Sequence, residues 1–309
     1  MNNSLFLHKK TLTNVSNFIR NIKVSSTTKK NTVSFLRQLI SLDPFGLTQF
    51  ELSFKVNKDI EKGKLRILNL DGEAYSYASK ESYLKRLNEY YSLVKKHNSN
   101  PFLVKLFHSL KSIANNPLDV YIGADIERNK HLFAFWLIFG GVQKNGKINF
   151  NRDCNRMMGQ IFDNLKIKPN FKITKDILNL GFDIDDKSFF YKIYYFLNKD
   201  NHKFLSKNEK SKISRITDFL GDKYRYWFFI SERFKIGKKE LNRKKIYLEF
   251  LDDIKMEDDK TFDLIRDLFK IINCKYNIER LKSILKNING KVVIFAFENN
   301  GTVTFYLRI

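Results

Sequence analysis

Cysteine is scarce in this sequence: 309 residues carry two, Cys154 and Cys274. Two cysteines so far apart give no disulfide framework and no Cys-x-x-Cys metal signature, which fits a reducing, cytoplasmic setting. Proline is also rare, with four residues, and no long Pro- or Gly-rich linker divides the chain, so one domain is the simpler organisation. Long apolar runs are missing too. The segment MNNSLFLHKK predicts neither a signal peptide nor a membrane span. The stretch Leu132–Val142 is too short to cross a bilayer and reads as a buried strand. Acidic residues are in deficit, 33 against 56 Lys and Arg, for a net charge of +23. That balance points toward an anionic partner, a nucleic acid or a small polyanion such as a diphosphate. It has a plainer reading as well. Lys, Asn, Ile, Phe and Tyr are abundant together, as AT-rich codons would give, and the lysines are spread along the chain rather than gathered in a stripe.

Hydrophobic residues, by contrast, are plentiful at 43%, enough for a sizeable core. Their order is periodic. Five pairs of alternating strands are predicted, at about Gln49–Gly72, Val120–Phe150, Leu178–Leu197, Tyr226–Phe250 and Lys291–Ile309. Phe50, Leu52, Phe54 and Val56 alternate with Gln49, Glu51, Ser53 and Lys55, and Ile246, Leu248 and Phe250 with Lys245, Tyr247 and Glu249. Side chains two apart share a face of a strand, so each hairpin has one apolar face and one face of charges and aromatics.

Helical spacing fills the gaps, over Thr32–Leu42, Lys80–His97, Phe102–Ala114, Asp153–Leu165, Lys207–Leu220, Asp259–Ile272 and Ile278–Ile288. Residues 1–30 read as a flexible or loosely docked arm and 31–309 as a single domain. Ten antiparallel strands with helices after nearly every pair have two edges to protect. Closing them into a barrel removes the edges and leaves an interior too wide for side chains alone to fill. The apolar faces then meet outer helices, and the polar faces line a chamber. The expected class is α+β: a ten-stranded antiparallel barrel of five α-β-β-α repeats with helices outside.

The chamber-facing set follows from the alternation. It includes Glu51, Lys64 and Arg66, then Asp125, Ala134 and Trp136, then Asp183, Lys192 and Tyr194. Trp227, Phe229, Ser231, Arg233, Lys245 and Tyr247 follow on the fourth hairpin, and Thr304, Tyr306 and Arg308 on the fifth. Unpaired buried cations are costly, whereas phosphate oxygens suit Lys and Arg donors and ring faces stabilise positive charge. The same alternation also describes the solvated face of an ordinary antiparallel sheet. His131 and His202 have no metal-like companions and read as surface residues.

The pattern resembles the ABBA, or PT-barrel, fold of soluble aromatic prenyltransferases, and most closely the cyanobactin-type peptide prenyltransferases. The residues that carry the likeness are Gly123-Ala124-Asp125, Gly181-Phe182-Asp183, Lys192-Ile193-Tyr194, Lys245-Ile246-Tyr247 and the final VTFYLRI. The resemblance implies a cytoplasmic, monomeric enzyme of ribosomal peptide modification. It would move dimethylallyl or geranyl from its diphosphate to an electron-rich side chain of a peptide or to a small aromatic, assisted by Mg2+, with no membrane or nucleic acid as partner. It further implies Glu51 as the base that takes the acceptor's proton. Lys64, Arg66, Lys192, Lys245 and Arg308 would bind the diphosphate, Trp136, Tyr194, Tyr247 and Tyr306 would shield the allylic cation, and Trp227 and Phe229 would contact the acceptor.

Two departures stand out. Ala134 occupies a position where the family has lysine, for which Lys130, Arg128 or Arg66 would have to compensate. The fourth hairpin has a long polar turn, Lys235–Arg243, suited to capping the chamber mouth. A non-catalytic protein that binds nucleic acid or another anion, or a degenerate ligand-binding barrel, are the alternative functions.

Overall fold

The computed structural model describes residues 2–21, 26–41, 49–68, 80–113, 119–125, 133–142, 148–150, 153–169, 177–185, 187–197, 201–237, 241–256, 258–285, 288 and 290–309. Helices α1 (Asn2–Asn21) and α2 (Ser26–Ser41) precede strands β1 (Gln49–Val56) and β2 (Glu61–Leu68). Helices α3 (Lys80–Lys95) and α4 (Pro101–Ser112) lead to β3 (Asp119–Asp125) and β4 (Phe133–Ile138). After the short strands β5 (Gly140–Val142) and β6 (Ile148–Phe150) come α5 (Cys154–Leu165), β7 (Ile177–Ile184) and β8 (Phe189–Phe196). Helix α6 (Lys207–Leu220) precedes β9 (Tyr226–Lys235) and β10 (Leu241–Lys255). Helices α7 (Asp259–Ile272) and α8 (Ile278–Leu285) precede β11 (Lys291–Phe297) and β12 (Val303–Arg308).

Ten strands pair antiparallel in the order β1-β12-β11-β10-β9-β8-β7-β4-β3-β2, and the ring closes because β1 pairs with both β12 and β2. The alternation of sequence becomes two separate apolar layers. Outward residues such as Leu52, Phe54, Phe135, Phe182, Leu248 and Phe305 merge with buried helix residues, among them Tyr90, Leu106, Ile161, Ile216 and Phe269, into one core. Each such fully buried side chain stabilises the fold by roughly 1.5–3 kcal/mol. A second, smaller cluster lies on the inward face: Ala134, Trp136, Leu178, Tyr194, Phe229, Tyr247, Ile294, Ala296 and Tyr306.

Local signals set the helix starts. Pro101 stands at the first turn of α4, with Asn100 as N-cap accepting from the Phe102 amide at 3.0 Å. The Asn100 Nδ2 donates to the Asp185 carbonyl at 2.6 Å, which ties the helix to the β7–β8 turn. Ser206 and Glu209 form a capping box at the start of α6.

Three expectations change. The arm predicted over residues 1–30 is helical over Asn2–Asn21, with Val15, Phe18 and Ile19 buried. The Phe18 ring meets Phe54 at 5.6 Å, and Asn21 donates to the Ile284 carbonyl. Apolar residues three and four apart inside a polar composition are enough to dock one helix face. The apolar stretch Leu132–Val142 is split after Ile138: Gly140–Val142 leaves the barrel and pairs with Ile148–Phe150 in a separate sheet. The turn of the fourth hairpin is shorter than Lys235–Arg243. Strand β9 runs to Lys235 and β10 starts at Leu241, so Arg243 is a strand residue paired with Arg233. Among the described residues, no helix is long and apolar enough to cross a membrane.

Candidate active site

In a closed barrel the strands tilt, so side chains at one height come from positions about one residue apart on successive strands. Applied to the observed registers, this rule sorts the inward face into layers. Lys55, Asp183, Lys192, Arg233, Arg243, Lys245 and Thr304 fall toward the end with the β1–β2, β7–β8, β9–β10 and β11–β12 turns. Trp136, Tyr194, Tyr247 and Tyr306 form the next layer. Glu51, Phe229 and Asn179 come below it.

Direct contacts agree with these layers. Trp136 Nε1 donates to the Tyr194 hydroxyl at 2.7 Å. The Tyr194 and Tyr247 rings are 5.6 Å apart, and those of Tyr247 and Tyr306 are 6.0 Å apart. Phe229 stacks on Tyr247 at 4.4 Å, and the Ser231 hydroxyl donates to the Tyr247 oxygen at 3.2 Å. Gly181 makes room for this line of rings. A Cβ at that position would stand 3.1 Å from Tyr194 Cε2 and 3.3 Å from Trp136 Cδ1, so the glycine of the Gly-Phe-Asp segment serves close approach.

The cations press against the rings. Lys245 is buried, donates to Thr304 Oγ1 at 2.6 Å, and holds its ammonium 5.7 Å from the centres of both the Tyr247 and Tyr306 rings. Burial, and then the neighbouring Arg243 charge, push the Lys245 pKa well below the ordinary lysine range. Burial likewise raises the Tyr247 pKa. Lys192 places its ammonium 5.7 Å from the Trp136 ring centre and 2.6 Å from Asp183 Oδ1. The other Asp183 oxygen stands 3.2 Å from Arg233 Nε, and the Arg233 guanidinium carbon lies 3.8 Å from the Phe190 ring centre. A second carboxylate, Glu298, accepts from Arg243 Nε at 2.7 Å and from a terminal Arg243 nitrogen, with Lys55 3.7 Å away. Burial opposes the Glu298 charge, but the Arg243 hydrogen bond and the Lys245, Arg243 and Lys55 charges outweigh it, and its pKa is lowered.

The structure thus brings together Lys192, Lys245, Trp136, Tyr194, Tyr247 and Tyr306. Glu51 is 3% exposed, in register with Arg66 and Arg308. Lys64 pairs in register with Ser53 and Asp125, and Arg66 with Glu51 and Gly123; the side chains of Lys64 and Arg66 lie outside the described residues, as do Arg128, Lys130 and His131 altogether. Arg308 does not join the cationic layer. It is exposed and sits four residues along β12 from Thr304, about 13 Å by strand rise. Trp227 and Phe229 are neighbours at 5.4 Å, with Phe196 5.3 Å from Trp227. His202 is exposed, and among the described residues no cluster of His, Cys, Asp or Glu is arranged to hold a metal ion.

Sequence reasoning missed two residues, Glu298 and Asn179, and the unpaired state of a third, Trp227. Glu298 lies one residue past the end of β11, where alternation stops carrying information. Asn179 carries a buried Oδ1, and Trp227 a buried Nε1, with no hydrogen-bond partner among the described residues. Alternation reports facing and says nothing about satisfaction, so it passed over Asn179.

No family model matches the sequence, and no curated protein matches it. Solved structures do share its architecture. The apo form of the prenyltransferase PriB is 10% identical with a TM-score of 0.65, covering 98% of this chain and 96% of that one. A 6-dimethylallyltryptophan synthase from Micromonospora olivasterospora, in complex with DMASPP and Trp, is 12% identical with a TM-score of 0.62, covering 98% and 97%. AnaPT from Neosartorya fischeri is 11% identical with a TM-score of 0.58, covering 95% and 90%. At these identities the likeness is one of fold, and the fold of this chain is the PT-barrel.

Proposed function

We propose that the chain is a prenyltransferase that moves a short isoprenoid, dimethylallyl or geranyl, from its diphosphate to an electron-rich side chain of a peptide or to a small aromatic. The carrying observation is the order of layers inside one barrel: cations, then a line of rings, then a buried carboxylate. PriB has been solved with L-tryptophan and dimethylallyl thiolodiphosphate and with product diphosphate, and that pairing of ligands supports the reading.

In this reaction the bond between the allylic carbon and the diphosphate oxygen breaks, and the electron pair leaves with the diphosphate. Lys192 and Lys245, with Lys64 and Arg66 on β2, stabilise the departing charge. Trp136, Tyr194, Tyr247 and Tyr306 present ring faces to the allylic cation and keep water from it. An electron-rich acceptor atom forms the new bond to carbon and gives up its proton to Glu51. Trp227 and Phe229 hold the acceptor. The unpaired Trp227 Nε1 and Asn179 Oδ1 suit an acceptor that offers both a hydrogen-bond acceptor and a donor, as a peptide or an amino acid does.

The described chamber wall does not fit a protein-held Mg2+, because it gathers no three His, Cys, Asp or Glu side chains and its carboxylates Asp183 and Glu298 are engaged by Lys and Arg. Mg2+ belongs to the proposal as a companion of the donor, since it takes substrate phosphate oxygens and retains several waters.

Glu51→Gln tests the base. Turnover is expected to fall by about a hundredfold or more, read by mass spectrometry of tryptophan-containing peptides and free tryptophan incubated with dimethylallyl and geranyl diphosphate. Binding of dimethylallyl thiolodiphosphate should stay close to wild type. Full activity of the variant would sink the assignment, and wild-type protein that alkylates none of these acceptors would count against the enzyme.

A further inference from the structure

Lysines are spread along the whole chain, but acidic residues are not. Residues 1–42 contain seven Lys or Arg and neither Asp nor Glu. They form α1 and α2, whose apolar sides face the barrel through buried Val15, Phe18, Ile19 and Phe35. On the outer side, Ser16, Ile19 and Arg20 of α1 face Lys30, Val33, Ser34 and Arg37 of α2 across a groove of about 540 Å³. Positions i, i+3 and i+4 share a helix face, and both walls follow that spacing. Arg20, Lys30 and Arg37 are exposed, above buried Ile19 and half-buried Val33.

The next groove round the molecule, between α2 and α3, is the contrast. It is larger, about 860 Å³, yet it sets Glu81 and Glu89 against Lys85 and Lys96, as an ordinary solvated helix surface does. The α1–α2 groove gathers cations with no acidic side chain among its described lining residues. Like charges so placed repel, and an anionic occupant offsets that repulsion.

Shape and surroundings select the anion. Lys30 and Arg37 stand about 10 Å apart by helix rise, the span of about three residues of extended chain. A single-stranded nucleic acid stacks on ring faces, and no aromatic side chain is among the described lining residues. A bilayer takes up exposed apolar side chains, and the exposed large ones, Val104, Phe204, Phe219 and Leu241, all lie off α1 and α2. The acceptor of the proposed reaction is also misplaced for this groove. Phe18 packs on Phe54 and Phe35 on Phe133, at the barrel end that carries the cation layer. Trp227 is six residues along β9 from Arg233 of that layer, about 20 Å away by strand rise.

We propose that the α1–α2 groove docks an extended acidic segment of a partner protein, pairing its carboxylates with Lys30 and Arg37 beside Arg20. The proposal is independent of the prenyl-transfer reading.

Fluorescence anisotropy tests it, with a labelled peptide that has glutamate at every third position and with its glutamine counterpart. Wild type should bind the glutamate peptide in preference, and more weakly as salt rises. The double variant Lys30→Gln/Arg37→Gln should bind it about fivefold weaker or less tightly still, with an unchanged Tm, since both side chains are exposed. Equal binding of the two peptides, equal binding by the two proteins, or no binding by wild type overturns the proposal. Variant-sensitive binding of a single-stranded oligonucleotide or of phosphatidylserine vesicles that exceeds binding of the peptide overturns it in favour of that occupant. An acidic tail that lowers the KM of a tryptophan peptide for wild type but not for the variant reassigns the groove to the acceptor. Loss of prenyl transfer as a function would leave the anisotropy outcomes as they stand.

Discussion

Two carboxylates stand among the cations of the chamber, Asp183 on β7 and Glu298 just beyond β11, and they hold their partners in different ways. Glu298 is a closed clamp. Both of its oxygens accept from one arginine, and against the cost of burial the Arg243 hydrogen bond and the Lys245, Arg243 and Lys55 charges keep it ionised. Asp183 is an open one. It divides its oxygens between Lys192 and a loosely aligned Arg233, with a ring rather than a carboxylate positioning the arginine. A two-point fork commits both carboxylate oxygens to one cation, whereas Asp183 meets two cations through different oxygens. The chamber thus has one carboxylate held by a single arginine and one divided between a lysine and an arginine.

Breaking the closed clamp should have the largest effect on stability. Glu298→Gln strands the Arg243 charge where it is only partly exposed, and is expected to cost about 2–3 kcal/mol, a fall of roughly 5 °C in Tm by calorimetry. The pH dependence follows the sign of the shift. Because the Glu298 pKa is lowered in the folded protein, its contribution is complete above the unfolded carboxylate pKa and is lost as pH falls through the folded one. The variant should therefore lose that part of the wild type's acid sensitivity, and an unchanged acid profile would contradict the clamp.

Asp183→Asn should cost less, about 1–2 kcal/mol, because the amide oxygen still accepts from Lys192. The sharper readout is rescue. Pyrophosphate should restore the Tm of Asp183→Asn further than that of Glu298→Gln, since a ligand anion replaces the carboxylate of an open cluster and not that of a closed one. Equal rescue of both variants would erase the comparison.

A smaller effect is expected in protons. The Lys245 pKa is lowered in the folded protein, by burial first and then by the Arg243, Lys55 and Lys192 charges, with Glu298 favouring its charge. A bound diphosphate favours the charged form, so binding of dimethylallyl thiolodiphosphate should take up protons and weaken as pH rises through the lowered Lys245 pKa. Titrations in buffers of different ionisation enthalpy measure the uptake. Lys245→Met should abolish it, and uptake that survives that substitution would move the effect to another group.

Much of this site was readable from alternation. Lys192, Tyr194, Lys245, Tyr247, Thr304 and Tyr306 all face the chamber because residues two apart in a strand must share a face. The helix that replaces the expected N-terminal arm was readable in principle too, since Val15, Phe18 and Ile19 have helical spacing that a polar composition obscured. Glu298 was not, because it lies beyond the last paired residue of its strand. The split after Ile138 was also hidden, because a continuous apolar run reads alike whether it stays in one sheet or passes into another.

The sequence alone therefore determined the repeating strand pairs and the facing of each side chain along them, which are local consequences of a period of two. Only the tertiary structure decided that Arg243 belongs to Glu298, that Arg233 rests on Phe190, and that the cations lie one layer from the rings. Those relations depend on strand tilt and on registers between residues tens to hundreds of positions apart, and closure of the barrel sets them all together.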